Sequence, residues 1–268
     1  MTSQQQPLIR CVVPTLNSGT TLDFTLDSLM HQGPSVEVLV VDSGSTDDTL
    51  RICDRWSVSH LYAPPGNMYE AINLGLDAST APWLCYVNSD DLVHPGLLPR
   101  LASIGQEADC DVVYGDADYI DDAGRYLFSF AAARPSELLR LFRVQVFGFC
   151  QPSAVFSAAL FRRLGGFDTR YRFGADADFY LRAILGGARF FHVPGPVACF
   201  RLHAKQQTAR FFQLFEDEKR TLYARAGRAS ILDRLAFHRW RFRNLPNYVI
   251  RRIRTGRLRS FDYHSSSE

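Results

Sequence analysis

The sequence predicts an α/β protein in which a mostly parallel sheet is flanked by helices, followed by a smaller mixed lobe and a helical, basic C-terminal tail. Three observations lead to this prediction. Short β-rich runs alternate with helical patterns through the first half of the 268 residues. This rhythm changes after Gly115, where the connections become longer. Between Arg234 and Arg259 there are nine arginines and no acid.

The first half begins with a strand from Leu8 to Val13, an apolar run rich in valine and isoleucine. A helix is predicted from Thr20 to His31, where leucines recur at helical spacing. Val36 to Val41 is a nearly continuous apolar run, which is typical of a strand buried on both faces. The remaining predicted elements of this half are a helix capped by Ser45 or Thr46 and reaching Trp56, a strand around Leu61, a helix from about Met68 to Ala78, a strand from Trp83 to Val87, a helix after Pro95 and a strand from Val112 to Tyr114.

The second half combines isolated strands with two helices. A mixed sheet is predicted from short β-rich runs around Tyr119, from Tyr126 to Phe130 and from Phe147 to Phe156. Helical patterns follow at Ala177 to Leu185 and at Gln206 to Ala226, and one more strand is predicted between them, from Arg189 to Val193. No linker separates the two halves, so we expect a smaller lobe built against the first one.

Composition is typical of a soluble globular protein, with 46% hydrophobic and 22% charged residues. Disorder, collagen and a coiled coil are excluded. The formal charge of +2 is an average, because the nine tail arginines leave a body of 21 basic and 28 acidic residues. Six scattered cysteines without a C-x-x-C pair favour a reducing cytosol. The polar first ten residues and the interrupted uncharged runs predict neither a signal peptide nor a membrane span.

Missing motifs exclude several common enzyme classes. Neither Lys205 nor Lys219 follows a glycine, so a Walker loop for nucleoside triphosphates is absent. No two glycines stand at G-x-G spacing, which removes the usual dinucleotide fingerprint. The G-x-S-x-G and H-E-x-x-H motifs of serine hydrolases and zinc proteases are also missing.

Polar side chains follow three predicted strands at the point where each strand ends. These segments are Pro14-Thr15-Leu16-Asn17, Asp42 to Asp47, and Asn88-Ser89-Asp90-Asp91. Ligands of open α/β sheets bind beyond the carboxyl ends of the strands. Each segment alone is also typical of turns and helix caps. Three of them at one edge of a sheet favour a binding site.

The adjacent carboxylates of Asp90 and Asp91 would repel each other unless a cation lay between or above them. Mg²⁺ or Mn²⁺ is usually held by one or two protein carboxylates, with water and substrate phosphates in the other positions. Such an ion suits a nucleoside diphosphate, because it neutralises the charge of the leaving group. Capping of the helix that follows Pro95 is the alternative interpretation.

Four segments together resemble the family 2 glycosyltransferases of the Rossmann-like GT-A fold, and in particular bacterial surface-polysaccharide members. They are Ile9 to Asn17, Val40 to Thr49, Gly66 to Leu76, and Asn88 to Asp91, which corresponds to the family's D-x-D segment. The resemblance extends from Ile9 to about Thr208. It implies a glycosyltransferase domain over 1–208, with a nucleotide-binding half (8–115) and an acceptor half (116–208), and a helical extension over 209–268.

The resemblance also implies the donor site. Pro14, Leu16 and Asn17 would line the pocket for base and ribose. Asp42 would accept a hydrogen bond from a ring N–H of the base. Gly66 would let the backbone approach the nucleotide closely.

For the metal site, Asp90 matches the last acid of the D-x-D motif and is the expected ligand, supported by Asp91. His203 matches an arginine-x-histidine segment and would contact the metal or the diphosphate, although a lone histidine is also typical of a packed or surface position. Asn88 replaces the first acid, and its amide can bind a ribose hydroxyl but brings no charge to the metal. Asn88 and Ser89 are expected to contact the donor.

Asp176 and Asp178 stand two residues apart at the start of a predicted helix, so they point to different sides. We expect one to be catalytic and the other to be a cap or structural partner. The resemblance places the base that takes the proton of the acceptor hydroxyl on Asp176. Ala175 replaces the family's usual glutamate. Acids at a helix start are also favoured by the helix dipole alone.

The predicted function is that of an inverting, metal-dependent glycosyltransferase with Mg²⁺ or Mn²⁺ as cofactor. Asp90 would bind the metal that stabilises the leaving group, and Asp176 would take the proton of the hydroxyl that attacks from the opposite face. This arrangement implies a single displacement with inversion. The donor would be a nucleotide sugar, a UDP-sugar before others, and the acceptor a saccharide or lipid-linked saccharide in bacterial surface-glycan biosynthesis. Two alternatives remain open. One is a nucleotidyltransferase acting on sugar phosphates, and the other is a degenerate nucleotide-sugar binder, motivated by Asn88 and Ala175.

Apolar and aromatic residues alternate with the arginines of segment 234–259. This pattern is typical of nucleic-acid binding or of attachment to an anionic membrane surface. A lipid-linked acceptor favours the membrane, so no nucleic-acid partner is expected. The chain is therefore predicted to be cytoplasmic or peripheral at the inner face of the plasma membrane. An ordinary solvated helix is the alternative for this segment.

Overall fold

A computed structural model describes residues 7–203 and 212–255 of the chain. Its strands are β1 (Ile9–Thr15), β2 (Val36–Asp42), β3 (Ser59–Tyr62), β4 (Trp83–Tyr86), β5 (Leu92–Val93), β6 (Val112–Ile120), β7 (Tyr126–Phe130), β8 (Ala154–Ser157) and β9 (Phe190–Arg201). Its α-helices are α1 (Leu22–Met30), α2 (Thr49–Trp56), α3 (Met68–Asp77), α4 (Leu97–Glu107), α5 (Leu138–Arg143), α6 (Ala158–Leu164), α7 (Ala175–Leu185), α8 (Phe212–Ala224), α9 (Ile231–Arg243) and α10 (Leu245–Thr255).

These strands form one sheet in the order β3-β2-β1-β4-β8-β6-β9-β5, and β7 also pairs with β6. The first four strands are parallel, as the alternating pattern predicts. In β1 the register pairs Thr15 with Asp42 of β2, so the two polar segments that follow these strands leave the sheet at the same edge. The α/β fold class, with helices around a Rossmann-like sheet and a mixed second part, is confirmed.

The second part of the sheet is mixed because β8 enters between β4 and β6 and runs antiparallel to both. The predicted strand at Val112 is therefore not a direct continuation of the parallel series, and it extends to Ile120, across the expected boundary at 115. Of the run predicted from Phe147 to Phe156, only the part from Ala154 onward forms a strand. Parallel pairing returns between β6 and β9.

Alternating side chains of the sheet fill two apolar layers. On β1, Cys11 and Val13 belong to a core cluster with α1 and α4, whereas Val12 points into the opposite cluster with α3. Gly75 of α3 allows close packing on the sheet, since a Cβ at this position would lie 2.7 Å from a methyl group of Val12 and 2.9 Å from one of Val41. The parallel strands are thus buried on both faces, which agrees with their apolar sequences.

Helix α2 begins later than predicted. It starts at Thr49 and is not capped by Ser45 or Thr46, because the Asp47 carboxylate accepts a hydrogen bond from the Thr49 N–H at 3.0 Å. The residues from Gly44 to Thr46 thereby stay in a loop above the end of β2. Ser43, just before this loop, lines the cleft described below.

The C-terminal helices pack against the mixed part of the sheet. The helix predicted from Gln206 starts outside the described residues, and from Phe212 to Ala224 it is confirmed. Trp240 in α9 is buried and donates to the carbonyl oxygen of Ala131 at 3.1 Å, while Arg243 pairs with Glu137. Residues 256–259 of the predicted basic tail lie outside the described residues. None of the described helices is long and apolar enough to cross a membrane.

Candidate functional site

A cleft of about 860 Å³ opens at the edge where β1 and β4 end, and is closed on the other side by the start of α7 and by α8. Of the residues predicted from the sequence, it is lined by Pro14, Leu16, Gly66, Asn88, Ser89, Asp90 and Asp176. Asn17, Asp42, Asp91 and His203 do not line it. The cleft therefore brings the strand-end segments and the acid of α7 together.

The carboxylate of Asp42 is buried and holds the loop after β2. It accepts hydrogen bonds from the backbone N–H groups of Gly44 and Ser45, both at 2.9 Å, and from the Thr15 hydroxyl at 3.1 Å. The Ser45 hydroxyl also donates to it. A carboxylate offers about four acceptor positions, so donors from this chain already occupy this group, and a base N–H would have to displace one of them.

Asn17 links the loops after β1 and β2. Its side-chain oxygen accepts from the Thr46 N–H at 2.9 Å, and its own N–H donates to the Ser45 hydroxyl at 2.8 Å. The residue adopts a positive φ of 52°, which asparagine tolerates better than most residues. Its side chain is thereby directed to the neighbouring loop, whereas Pro14 and Leu16 face the cleft.

Asp90 and Asp91 point in different directions. Asp90 faces the cleft, and its Oδ2 lies 2.8 Å from Nε2 of His203. Asp91 is buried and accepts from the Arg201 N–H at 3.0 Å and from the Asn88 amide at 3.3 Å. Burial, with the charge of Asp90 beside it, holds the pKa of Asp91 well above its usual range. Asp91 therefore supports the segment from beneath and is not presented to the cleft.

Arg201 is an important residue of this segment that the sequence does not single out as functional. It is buried, and its Nε donates to the backbone carbonyl of Asp90 at 2.8 Å. Through its own N–H it also holds Asp91. Arg201 ends β9 and a single residue separates it from His203, so one strand end positions both acids and the imidazole.

Two buried amide oxygens at the cleft have no hydrogen-bond partner within the described chain. They are Oδ1 of Asn88 and Oε1 of Gln151. The nitrogen of each amide is engaged, with Asp91 for Asn88 and with the Tyr86 carbonyl for Gln151, which fixes the direction of the oxygen. A buried acceptor without a partner is costly. Both oxygens are therefore available to a ligand in the cleft, where they add two neutral acceptors to the Asp90 carboxylate.

Asp176 lies in the first turn of α7 and lines the same cleft. Burial raises the pKa of this carboxyl to about 6, although the Ala177 N–H donates to it at 2.7 Å. Asp178 points the other way, and its buried carboxylate forms ion pairs with Arg182 and with the partly exposed Arg225. The two acids thus face different sides of the helix, as their spacing predicts.

The loop before α7 is held by an acid that sequence reasoning missed. Glu218 of α8 accepts hydrogen bonds from the N–H groups of Arg172 at 2.7 Å, Phe173 at 2.8 Å and Gly174 at 3.1 Å. The phenol of Tyr69 donates to the Phe173 carbonyl at 3.1 Å. Glu218 is more than 40 residues from the loop along the chain, so no local pattern could reveal the contact.

The arrangement combines a carboxylate–imidazole pair on one side of the cleft with an acid of raised pKa on another. The first group is chemically suited to a hard cation and to phosphate oxygens. An acid with a pKa near 6 exists largely as a base at neutral pH and can accept a proton from a bound hydroxyl. Such a site can carry out a transfer in which a phosphate leaves and a hydroxyl attacks.

The chain is similar to known proteins over much of its length. The model of glycosyl transferase family 2 matches residues 11–165. A PGL/p-HBAD biosynthesis glycosyltransferase from Mycobacterium bovis is 32% identical over 200 residues, which cover 70% of this chain and 75% of that protein. A relative from Mycobacterium tuberculosis with the same description has the same identity and coverage.

Solved structures with the same fold include S. aureus TarS in complex with UDP-GlcNAc, with a TM-score of 0.62 and 18% identity over 81% of this chain and 71% of that one. Glucosyl-3-phosphoglycerate synthase from Mycobacterium tuberculosis, in complex with Mn²⁺, UDP and glucosyl-3-phosphoglycerate, has a TM-score of 0.59 and 21% identity over 84% and 82% of the two chains. At these identities the likeness shows the fold alone.

Proposed function

This chain belongs to glycosyl transferase family 2 and is a glycosyltransferase, and from that premise we propose that it transfers one sugar, with inversion and with Mg²⁺ or Mn²⁺, from a UDP-sugar to a saccharide or lipid-linked acceptor. The observation that carries the proposal is the pair of acids in one cleft, Asp90 beside His203 and Asp176 on α7. The UDP, UDP-GlcNAc and Mn²⁺ in the neighbouring structures support the choice of donor and cation.

We assign proton abstraction to Asp176. Its carboxylate borders the cleft at the start of α7. Its pKa of about 6 lies below 7, so the group is mostly ionised at neutral pH, and because this pKa is raised the carboxylate is a stronger base than usual toward the proton of a hydroxyl. The reaction forms the bond from the acceptor oxygen to the anomeric carbon and breaks the bond to the diphosphate. Attack from the side opposite the leaving group gives inversion.

The cation would be held by Asp90 and His203, with the amide oxygen of Asn88 available to it or to a ribose hydroxyl. When bound, the cation stabilises the charge that develops on the departing diphosphate. Asn88 brings no charge, so Asp90 is the anionic ligand in this proposal. Mg²⁺ and Mn²⁺ both suit an oxygen-rich site.

Donor binding is assigned to Pro14, Leu16, Gly66 and Ser89, all of which line the cleft. A Cβ at Gly66 would meet nothing within 4 Å, so the open space beside this residue can accept a ligand. The roles of Asn17, Asp42 and Asp91 are proposed to be different from those predicted. They shape the loops and the acidic segment through the hydrogen bonds described above, and contact with the donor is indirect.

The proposed acceptor side includes a membrane-facing surface. Leu245, Val249 and Ile253 of α10 are exposed and lie at i, i+4 and i+8, so they share one face of the helix. Phe242 is also exposed, as are five arginines of the same two helices, namely Arg234, Arg239, Arg241, Arg252 and Arg254. Exposed apolar side chains among basic ones suit an anionic lipid surface, which would bring a lipid-linked acceptor to the cleft and place the protein at the inner face of the plasma membrane.

The test of the proposed function uses the full chain with a panel of nucleotide sugars, Mn²⁺ and saccharide acceptors. We expect nucleoside diphosphate to be released in amounts equal to the glycoside formed, with the inverted anomeric configuration by NMR. Asp176→Asn should bind the donor but turn it over at least about 10²-fold more slowly. Release of pyrophosphate, or retention of configuration, would contradict the proposal.

A further inference from the structure

A second cluster of metal-ligating side chains lies outside the cleft. It consists of His94, just after β5, Asp118 of β6 and Cys199 of β9, whose ligand atoms all lie within 4.8 Å of one another. Nε2 of His94 is 3.1 Å from Oδ2 of Asp118 and 3.5 Å from Sγ of Cys199. From this convergence we infer that the protein binds a Zn²⁺ ion at His94, Asp118 and Cys199, separate from the cation of the transfer reaction.

The sheet register builds the cluster. Asp118 and Cys199 are direct partners on the parallel strands β6 and β9, so their side chains lie next to each other on one face. Cys199 is also the partner of Leu92 in β5, and the chain continues from there to His94. Three strands therefore position the three ligands, and no loop has to fold over to complete the set.

Geometry separates a metal site from a hydrolase-like triad. In a triad the acid and the nucleophile contact opposite nitrogens of the imidazole, whereas Asp118 and Cys199 both approach Nε2 of His94. A tetrahedral Zn²⁺, with bonds of about 2.05, 2.1 and 2.3 Å to nitrogen, oxygen and sulfur, sets the nitrogen–oxygen edge at about 3.4 Å and the nitrogen–sulfur edge at about 3.6 Å. The two observed separations of 3.1 and 3.5 Å are close to these edges.

A neighbouring hydroxyl orients the carboxylate. Ser129 of β7 donates to Oδ1 of Asp118 at 2.7 Å, which leaves Oδ2 directed at His94. Such outer hydrogen bonds are typical of metal ligands. The His94 side chain is 37% exposed and that of Asp118 15%, so an ion can enter from solvent and keep a water as its fourth ligand.

A proton is the competitor of the metal at this position. Hydrogen bonding to Asp118, and then to the Cys199 sulfur, raises the pKa of His94 to about 10. Binding of Zn²⁺ would displace this proton, because an imidazole binds a metal in its neutral form.

The ligand chemistry differs from that of the cleft. A thiolate and an imidazole favour Zn²⁺ over Mg²⁺ or Mn²⁺, whereas the cleft offers one carboxylate, one imidazole and amide oxygens. The bound ion would join β5, which follows Asp90, to the end of β9, which precedes His203. Its expected effect is therefore to stabilise the two segments that carry the proposed cation ligands of the cleft.

The experiment titrates the chelator-treated full chain with Co²⁺ as a spectroscopic probe for Zn²⁺. We expect one equivalent to produce the thiolate-to-cobalt charge-transfer absorption and Zn²⁺ to displace it, while excess Mn²⁺ does not. Cys199→Ser should remove the absorption, and Asp118→Asn should weaken binding by more than about tenfold. Cys110→Ser is the matched control, because Cys110 is also partly exposed but stands apart from the cluster.

Thermal unfolding supplies the second measurement. Zn²⁺ should raise the melting temperature of the wild type and of Cys110→Ser, and leave that of Cys199→Ser unchanged. Absence of the charge-transfer absorption in the wild type, or its persistence in a folded Cys199→Ser, would overturn the inference. Because neither measurement needs turnover, the outcome is independent of the proposed function.

Discussion

Oε2 of Glu218 accepts a hydrogen bond from the backbone N–H of Gly174 at 3.1 Å, two residues before the proposed base. The same carboxylate also accepts from the two preceding N–H groups. A helix from the C-terminal part of the chain thus fixes the entry to α7. The charge of Glu218 contributes to the raised pKa of Asp176, after the larger effect of burial.

Glu218→Gln is expected to reduce kcat and to move the acidic limb of the kcat–pH profile to lower pH. The glutamine amide keeps the shape of the side chain but loses its negative charge, so the pKa of Asp176 falls. The NH₂ group of the amide also replaces one of the two oxygens that accept from the loop N–H groups, so at least one of these hydrogen bonds is lost. Hydrogen bonds to a charged group contribute about 1.5–3 kcal/mol. The kcat–pH profile checks the prediction. Asp217→Asn, the same charge change at the exposed neighbouring position, should leave the profile in place.

Asp176→Asn should lower kcat by about 10²- to 10⁴-fold, the range typical of general-base catalysis, with little change in the donor Kd. In the wild type, protonation of Asp176 should make kcat fall as pH decreases through about 6. Steady-state rates from pH 5 to 8 and donor binding by calorimetry check both statements. A wild-type rate in the variant would remove Asp176 from the mechanism.

The same variant should be more stable than the wild type at pH 8. The pKa of Asp176 is higher in the folded protein than in the unfolded chain. The folded protein therefore loses stability as pH rises from the pKa of this carboxyl in the unfolded chain to about 6. A neutral amide avoids this loss, so we expect a gain of up to about 3 kcal/mol at pH 8 that disappears toward pH 4. Urea unfolding at the two pH values measures it. Asp178→Asn should show the opposite sign, because it weakens the buried pairs with Arg182 and Arg225.

His203→Asn should raise the Mn²⁺ concentration needed for half-maximal transfer by about tenfold or more. The imidazole that contacts Asp90 is removed, while the carboxylate remains. Mn²⁺ titration of activity at saturating donor is the measurement. His192→Asn is the control, because His192 makes a contact of the same 2.8 Å length with Asp116, and Asp116, unlike Asp90, does not line the cleft. An equal effect of both variants would argue against a metal role for His203.

Replacement of Leu245, Val249 and Ile253 by serine should weaken binding to vesicles containing phosphatidylglycerol by about tenfold or more. Each apolar side chain that becomes buried in the lipid contributes about 1.5–3 kcal/mol at most. Cosedimentation at low and high salt measures it, and salt should weaken binding further. Phe24→Ser, at an exposed position on α1, should have no effect. Equal binding of wild type and triple variant would contradict a lipid-facing α10.

The parallel part of the fold could be predicted because its signals are local. The apolar run from Val36 to Val41 and the leucine spacing of α1 each determine one element within a few residues. The position of β8 could not be predicted in this way. The position of its four residues in the sheet is determined by antiparallel pairing with β4 and β6, which are distant in sequence.

The candidate site shows the same division. Sequence patterns identified the segments after β1, β2 and β4, and the cleft brings residues of all three together with Asp176, the second segment contributing Ser43. They did not distinguish which member of each segment faces the ligand. Asp42 and Asp91 point away from the cleft because they accept hydrogen bonds from backbone N–H groups of neighbouring segments. Glu218 acts on the site only through its contacts with a loop that is distant in sequence.

The place of β9 in the sheet affects the order in which the enzyme matures during translation. Its pairing partner Val112 lies 78 positions before Phe190, and β5 is held at the outer edge by β9 alone among the described strands. A ribosome-bound chain that ends before Phe190 therefore cannot complete the edge that carries Asp90. We expect nascent fragments to have no transferase activity and to expose unpaired edges of β5 and β6, which are prone to aggregate until β9 is synthesised.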